Sequence, residues 1–255
     1  MTDLKQMNDV DYFASEGLSQ SFLKAFDKSP AYAFGERTIT QSMKDGKLLH
    51  ALLLEPEKIS ERDLIIEKIN RNTNVYKDMV KSNPDKEILF FEEIEDLYKM
   101  RDNILKLKYD FMDMDEIILK SKKEIACFAE IAGFQSKGKF DLLYEDRPII
   151  FDIKLTSNIE LFKWQVKDFG YYRQADWYKT LYSHYSGIPY EEIPFIIIAS
   201  ESQFPFGAKT IELTDEYIHK GSIENLESVK MYSKWLERGA DKTEIYLETH
   251  EVIGV

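Results

Sequence analysis

Asp141, Asp152 and Lys154 are the kinds of side chain that hold a hard cation and manage charge beside it. They fall in KGKFDLLYEDRPIIFDIKL, where two apolar runs, FDLLY and IIFDI, flank the polar turn Glu145-Asp146-Arg147-Pro148. That order reads as strand, turn, strand. Residues two apart on a strand share a face, so Asp152 and Lys154 project together while Phe151 and Ile153 turn into apolar packing. If the two strands pair, Asp141 comes alongside Asp152. Two carboxylates so placed suit an oxygen-seeking ion such as Mg²⁺ or Mn²⁺. A lysine beside that ion can orient a bound water or stabilise charge developing on a phosphate.

Three letters such as DxK recur by chance, and alone they describe a surface carboxylate–lysine pair equally well. Downstream, Gln174 and Tyr178 stand four apart in YYRQADWYKTLY, on one face of a helix. The spacing Asp141, then Asp152-Ile153-Lys154, resembles the D…(D/E)xK core of the PD-(D/E)XK nuclease superfamily. The pair Gln174 and Tyr178 resembles the QxxxY element of RecB-type nucleases. Together, in this order, they favour a nuclease site over an ordinary strand followed by an aromatic core helix.

The N-terminal part carries a second set of residues. In LSQSFLKAFDKSPAYAF, Ser19 or Ser21 can cap a short helix bearing Phe22, Leu23 and Phe26, which Pro30 ends. A second helix is expected from about Thr40 to Leu54, stopping before Pro56. His50 lies on it among leucines, where a histidine is more often a core residue than a ligand. This run resembles the N-terminal signature of RecE-type (exodeoxyribonuclease VIII-like) exonuclease domains. The residues that carry the match are Ser19, Ser21, Leu23, Lys24, Ser29, Pro30, Gly46, His50, Ala51, Leu52, Leu54, Glu55 and Pro56. With the core and QxxxY motifs, the resemblance spans about Leu18 to Tyr217.

The resemblance implies roles. His50 maps onto the family's metal-binding histidine, joining Asp141, Asp152 and the Ile153 carbonyl around Mg²⁺ or Mn²⁺. Glu124 stands where the family has an acidic strand residue, although an edge-strand carboxylate is an equal reading. Asp141, Asp152 and Lys154, with Gln174 and Tyr178, are then the catalytic set. The implied substrate is linear double-stranded DNA, degraded from 5′ ends to leave 3′ single strands for a RecT-type annealing protein. A homo-oligomeric ring and a phage or prophage origin in the bacterial host cytoplasm come with it. An endonuclease or nickase of the superfamily, or a non-catalytic DNA-end or recombinase-binding module, are the alternatives.

The 255 residues carry a formal net charge of −12, which argues against a protein that coats nucleic acid by general attraction. A local basic lining remains compatible with it, and Lys137, Lys139, Lys163, Lys167 and Arg173 flank the acidic core. Each alone is equally a solvated surface charge. No apolar run is long enough to cross a bilayer, and the N-terminus lacks the order of a signal peptide, so a cytoplasmic protein without membrane partners is expected. The single cysteine, Cys127, in the run IACFAEIAGF, reads as a buried thiol.

These residues need a scaffold of the α/β class: a central mixed sheet flanked by helices, with a helical N-terminal part. Strands are expected at Lys122–Ile131, Lys139–Tyr144, Ile149–Leu155, Phe195–Ser200 and Lys209–Leu213, with a hairpin turn at Ala132-Gly133. The pattern from Ser60 to about Asp115 reads as helical, including ERDLIIEKINRN. A helix should follow Thr214 to about Trp235, with a weak strand from Glu244 to Ile253. One nuclease domain over residues 1–255 is expected, with 1–120 mainly helical and carrying His50 and 121–255 forming the sheet core.

Overall fold

Apolar alternation in the second half of the chain gives way to a sheet that helices cover on both faces. The computed structural model describes residues 2–36, 40–59, 63–84 and 86–246. The chain opens with strand β1 (Asp3–Gln6) and helices α1 (Asp9–Ala14), α2 (Gln20–Phe26), α3 (Pro30–Phe34) and α4 (Gln41–Leu54). Then come β2 (Asp63–Ile66), α5 (Asn74–Ser82), β3 (Glu87–Phe90), α6 (Phe91–Leu105), β4 (Lys108–Tyr109), β5 (Met112–Asp113) and α7 (Met114–Lys120). The second half holds β6 (Lys122–Ile131), β7 (Phe134–Tyr144), β8 (Ile149–Thr156), α8 (Phe162–Asp168), α9 (Tyr171–Ser186), β9 (Phe195–Glu201), β10 (Ala208–Glu212) and α10 (Asp215–Glu237).

The main sheet runs β1-β6-β7-β8-β9-β10. Only the β8–β9 pair is parallel, and α8 and α9 form the crossover that a parallel pair requires. Both of those strands are apolar on both faces, as a doubly covered strand must be. On one face Leu142, Phe151, Ile153, Ile196 and Ile198 pack against α4, α6 and α7. On the other, Phe140, Leu143, Ile150 and Ile197 pack against α2, α8, α9 and α10. The mixed α/β architecture is as expected.

Side-chain caps set the helix starts: the Thr40 hydroxyl accepts the Met43 N–H and the Ser19 hydroxyl accepts that of Phe22. A Cβ on Gly221 would lie 2.5 Å from the Tyr172 carbonyl oxygen, so glycine is what lets α10 lie flush against α9. Cys127 is fully buried on β6, and burial pushes its thiol up to about 12.

Several expectations are corrected. Part of ERDLIIEKIN forms β2, parallel to β3, because β-branched Ile65 and Ile66 gain a neighbouring strand that the local pattern does not reveal. Pro30 opens α3 rather than only ending α2, since its fixed φ suits a first helical position. β7 begins at Phe134, five residues before the expected Lys139, and β1 adds an unforeseen strand outside β6. Residues 244–246 form no strand, and the rest of the stretch expected to end at Ile253 lies outside the described residues, as does His250. Among the described residues no helix is long and apolar enough to cross a membrane.

Candidate metal centre

The site lies where the β6–β7 and β7–β8 ladders break. Leu142 pairs with Phe151, but no pair continues to Asp141 and Asp152. Beyond that point the two strands part, and the Asp141 carboxylate takes the Ile153 N–H at 2.6 Å in place of a ladder carbonyl. On the other side the β6–β7 register runs Lys123 with Leu142 and Ile125 with Phe140, omitting Glu124 and Asp141 between them. Glu124 there has φ +51°, an uncommon and strained value for a residue with a side chain. Phe140 and Leu142, two apart, fall into opposite cores, so the pleat changes phase at Asp141. Glu124 and Asp141 are thereby turned to the same imidazole.

His50, on α4, supplies that ring. Its Nε2 lies 3.1 Å from the Ile153 carbonyl oxygen, which can only accept, so Nε2 donates. Nδ1 then faces Asp141 Oδ1 at 3.5 Å and Glu124 Oε1 at 3.7 Å. One nitrogen of His50 and one oxygen each of Glu124 and Asp141 all lie within 4.8 Å of one another. An imidazole with two carboxylates is a donor set that Mn²⁺ or Mg²⁺ can use, and the residues fit such an ion.

The electrostatics point the same way. Burial alone would lower the His50 pKa, but the carboxylates of Asp141 and Glu124 outweigh it and raise it to about 9. Burial raises Asp141 to about 7, opposed by His50 and reinforced by Asp152. Burial also pushes Glu124 up, but hydrogen bonds from His50 and Lys139 overcome it and hold the carboxyl low. Without a cation the cluster binds protons in excess, as a site with surplus negative charge must.

Asp152 and Lys154 stand beside this cluster on β8. Asp152 is buried; its Oδ2 lies 2.6 Å from Lys154 Nζ and its Oδ1 accepts from Gln174 Nε2 at 2.7 Å. Burial pulls the Lys154 pKa down, but Asp152 and then Asp141 prevail and raise it, so the ammonium keeps its charge. It also rests over the Tyr171 ring, 5.1 Å from the centroid. Tyr178 packs on Phe140, its ring centroid 4.9 Å away, and borders the adjoining cavity with Gln174. The Ile153 carbonyl, expected as a ligand, receives the His50 N–H.

The five expected basic residues separate. The Lys137 ammonium is buried against the Tyr12 and Ser15 carbonyls at 2.8 and 2.6 Å, ending α1 rather than facing outward. Arg173 is buried too, donating to Asp27, Asn225 and Ser228. Lys139 bridges Asp9 at 2.8 Å and Glu124 at 2.5 Å. Only Lys163 and Lys167, on α8, are exposed. Helical and strand periodicity could not separate these cases, because their partners come from distant elements.

A cavity of about 400 Å³ opens next to Gln174 and Tyr178. Among the described residues its charged lining residues are Lys24, Lys28 and Lys137, with no carboxylate. Ser19, Ser21 and Tyr171 also border it, and so does Gln20, a buried residue whose amide nitrogen has no hydrogen-bond partner among the described residues. Sequence reading placed Lys24 in a motif but passed over Gln20 and Lys28; their spacing of four from Lys24 on either side was the available signal.

The family of PDDEXK-like domains of unknown function (DUF3799) matches residues 19–244 of the sequence. No curated protein matches it. Among solved structures, an exonuclease candidate from Eubacterium rectale superposes with a TM-score of 0.61 at 16% identity, covering 93% of this chain and 88% of its own. At that identity the likeness is one of fold.

Proposed function

This chain belongs to the family of PDDEXK-like domains, and from that premise we propose that it is a divalent-metal-dependent exodeoxyribonuclease acting on linear double-stranded DNA. The observation that carries the proposal is the convergence of His50, Glu124 and Asp141, from three elements, beside the Asp152–Lys154 pair. A divalent cation held there supplies an activated water and neutralises charge on the scissile phosphate. His50 offers Nδ1 because its Nε2–H is held by the Ile153 carbonyl. Lys154, kept charged by Asp152, stands ready to neutralise the phosphate as it gains charge. Gln174 fixes the Asp152 carboxylate, and Tyr171 supports the ammonium from beneath.

The basic cavity supports a phosphate-bearing substrate. In a chain of net charge −12, a hollow whose charged lining residues, among those described, are Lys24, Lys28 and Lys137 suits a polyanion. Degradation from 5′ ends, a ring-shaped homo-oligomer and hand-over of 3′ single strands to a RecT-type annealing protein are supported by the resemblance to RecE-type domains.

The test is end-labelled linear duplex incubated with Mg²⁺ or Mn²⁺, with covalently closed circles in parallel. Release of label from one strand end, intact circles, and loss of label release in Lys154→Ala are expected. Cleavage of circles would replace this reading with an endonuclease, and an inert wild-type protein with a binding module.

A further inference from the structure

We infer that Asp9 is a positioning residue for the metal centre, offering Lys139 a second carboxylate so that a divalent cation can displace that ammonium from Glu124. The inference rests on the metal reading above and adds a residue from a segment that the family match, beginning at residue 19, does not include.

The contacts form a closed ring. Lys47 and His50 sit three apart on α4. Lys47 Nζ lies 3.4 Å from Asp9 Oδ2, and Asp9 Oδ1 lies 2.8 Å from Lys139 Nζ. Lys139 reaches Glu124 Oε2 at 2.5 Å, and Glu124 Oε1 returns to His50 Nδ1 at 3.7 Å. Helix α1 is anchored for this task, because the Lys137 ammonium binds the Tyr12 and Ser15 carbonyls and β1 pairs with β6.

Lys139 is thus a resident cation on a carboxylate that an incoming ion needs. Its ammonium is largely buried, its side chain 14% exposed, so its charge is weakly screened and competes strongly with the ion. Asp9 offers the same ammonium a second carboxylate. As a divalent ion engages Glu124, Lys139 shifts its pairing towards Asp9, and positive charge is not stranded beside the ion. Asp9 is half-exposed, so its own direct field at the ion is the smaller effect.

The experiment is Mn²⁺ binding by the full chain, followed by calorimetry and by the electron paramagnetic resonance of free Mn²⁺. Asp9→Asn is expected to weaken binding about tenfold, within the range of coupling inside one ion-pair network. Asp9→Glu keeps the carboxylate and should stay within about threefold of wild type. In a Lys139→Met background, Asp9→Asn should change affinity less than about twofold, since the competing cation is gone. Asp9→Asn binding like wild type, or losing equal affinity in both backgrounds, would overturn the inference while leaving the metal centre intact. A wild-type chain that binds Mn²⁺ no better than His50→Ala removes the metal reading and this inference together.

Discussion

Arg173 and Gln174 are neighbours on α9, yet they serve two buried polar clusters of opposite character. Arg173 faces α10 and the end of α2: Nη1 donates to Asp27, the residue that closes α2, at 2.7 Å, and on α10 Nη2 donates to Ser228 at 2.7 Å and Nε to Asn225 at 3.1 Å. Asn225 in turn donates to the Arg173 carbonyl and to Asp176, which also accepts from Tyr190. Gln174 faces the sheet and holds Asp152 beside a cluster where His50, Glu124 and Asp141 crowd together. The first cluster meets charge with matching partners and fixes how two helices lie. The second crowds Glu124 and Asp141 against one imidazole on a strained stretch of strand, with Lys139 on Glu124 and Lys154 on Asp152 as its nearby ammoniums. Crowded carboxylates beside a strained backbone are the feature on which the proposed site rests.

The contrast breaks most visibly under substitution in the second cluster. Asp152→Asn or Lys154→Ala is expected to lower the rate on linear duplex by about a thousandfold, the scale for losing a group that stabilises developing charge. Rates are compared per folded molecule, because Lys154→Ala leaves the buried Asp152 carboxylate unpaired and lowers the melting temperature as well. Equal losses of activity and of folding would show that the pair is structural.

The converse substitution is Arg173→Met. It leaves Asp27 and Asn225 without their partner and should destabilise the fold by about 3 kcal/mol, the low end for a broken buried pair because Asp27 is partly exposed. Denaturant unfolding measures that loss. Activity per folded molecule should persist, and its disappearance would place Arg173 in the substrate groove after all.

A smaller effect comes from pH. His50 is raised from its ordinary 6.5 to about 9 and Asp141 from 3.8 to about 7, so the folded metal-free chain holds these protons more tightly than the unfolded one. Their contribution to stability is complete at low pH. The Asp141 part fades as pH rises to about 7 and the His50 part as it rises to about 9. Metal must displace the same protons, so apparent Mn²⁺ affinity should climb with pH through this window, by up to about tenfold per unit for each proton released. The gap in melting temperature between Mn²⁺-loaded and metal-free protein should therefore widen from pH 6 to 9, and His50→Ala should flatten it. A gap that stays constant would remove the imidazole from the ligand set.

Sequence and structure divide the account of this protein at the range of their forces. The sequence by itself determined what local periodicity and spacing can carry. The bounds of β6, the helix ending at Leu54, the Ala132-Gly133 turn and the shared face of Asp152 and Lys154 all follow from alternation, caps and breakers read within a few residues. It was silent wherever an ammonium or carboxylate chose among distant partners. Lys137 and Arg173 look like surface cations in the chain and are buried clamps in the fold, while Glu124, one residue beyond the β1–β6 pairing, faces His50. Only the tertiary structure decided these pairings. A charge is settled by whichever opposite charge the packing brings within a few ångströms, and here those partners lie up to 146 positions away along the chain.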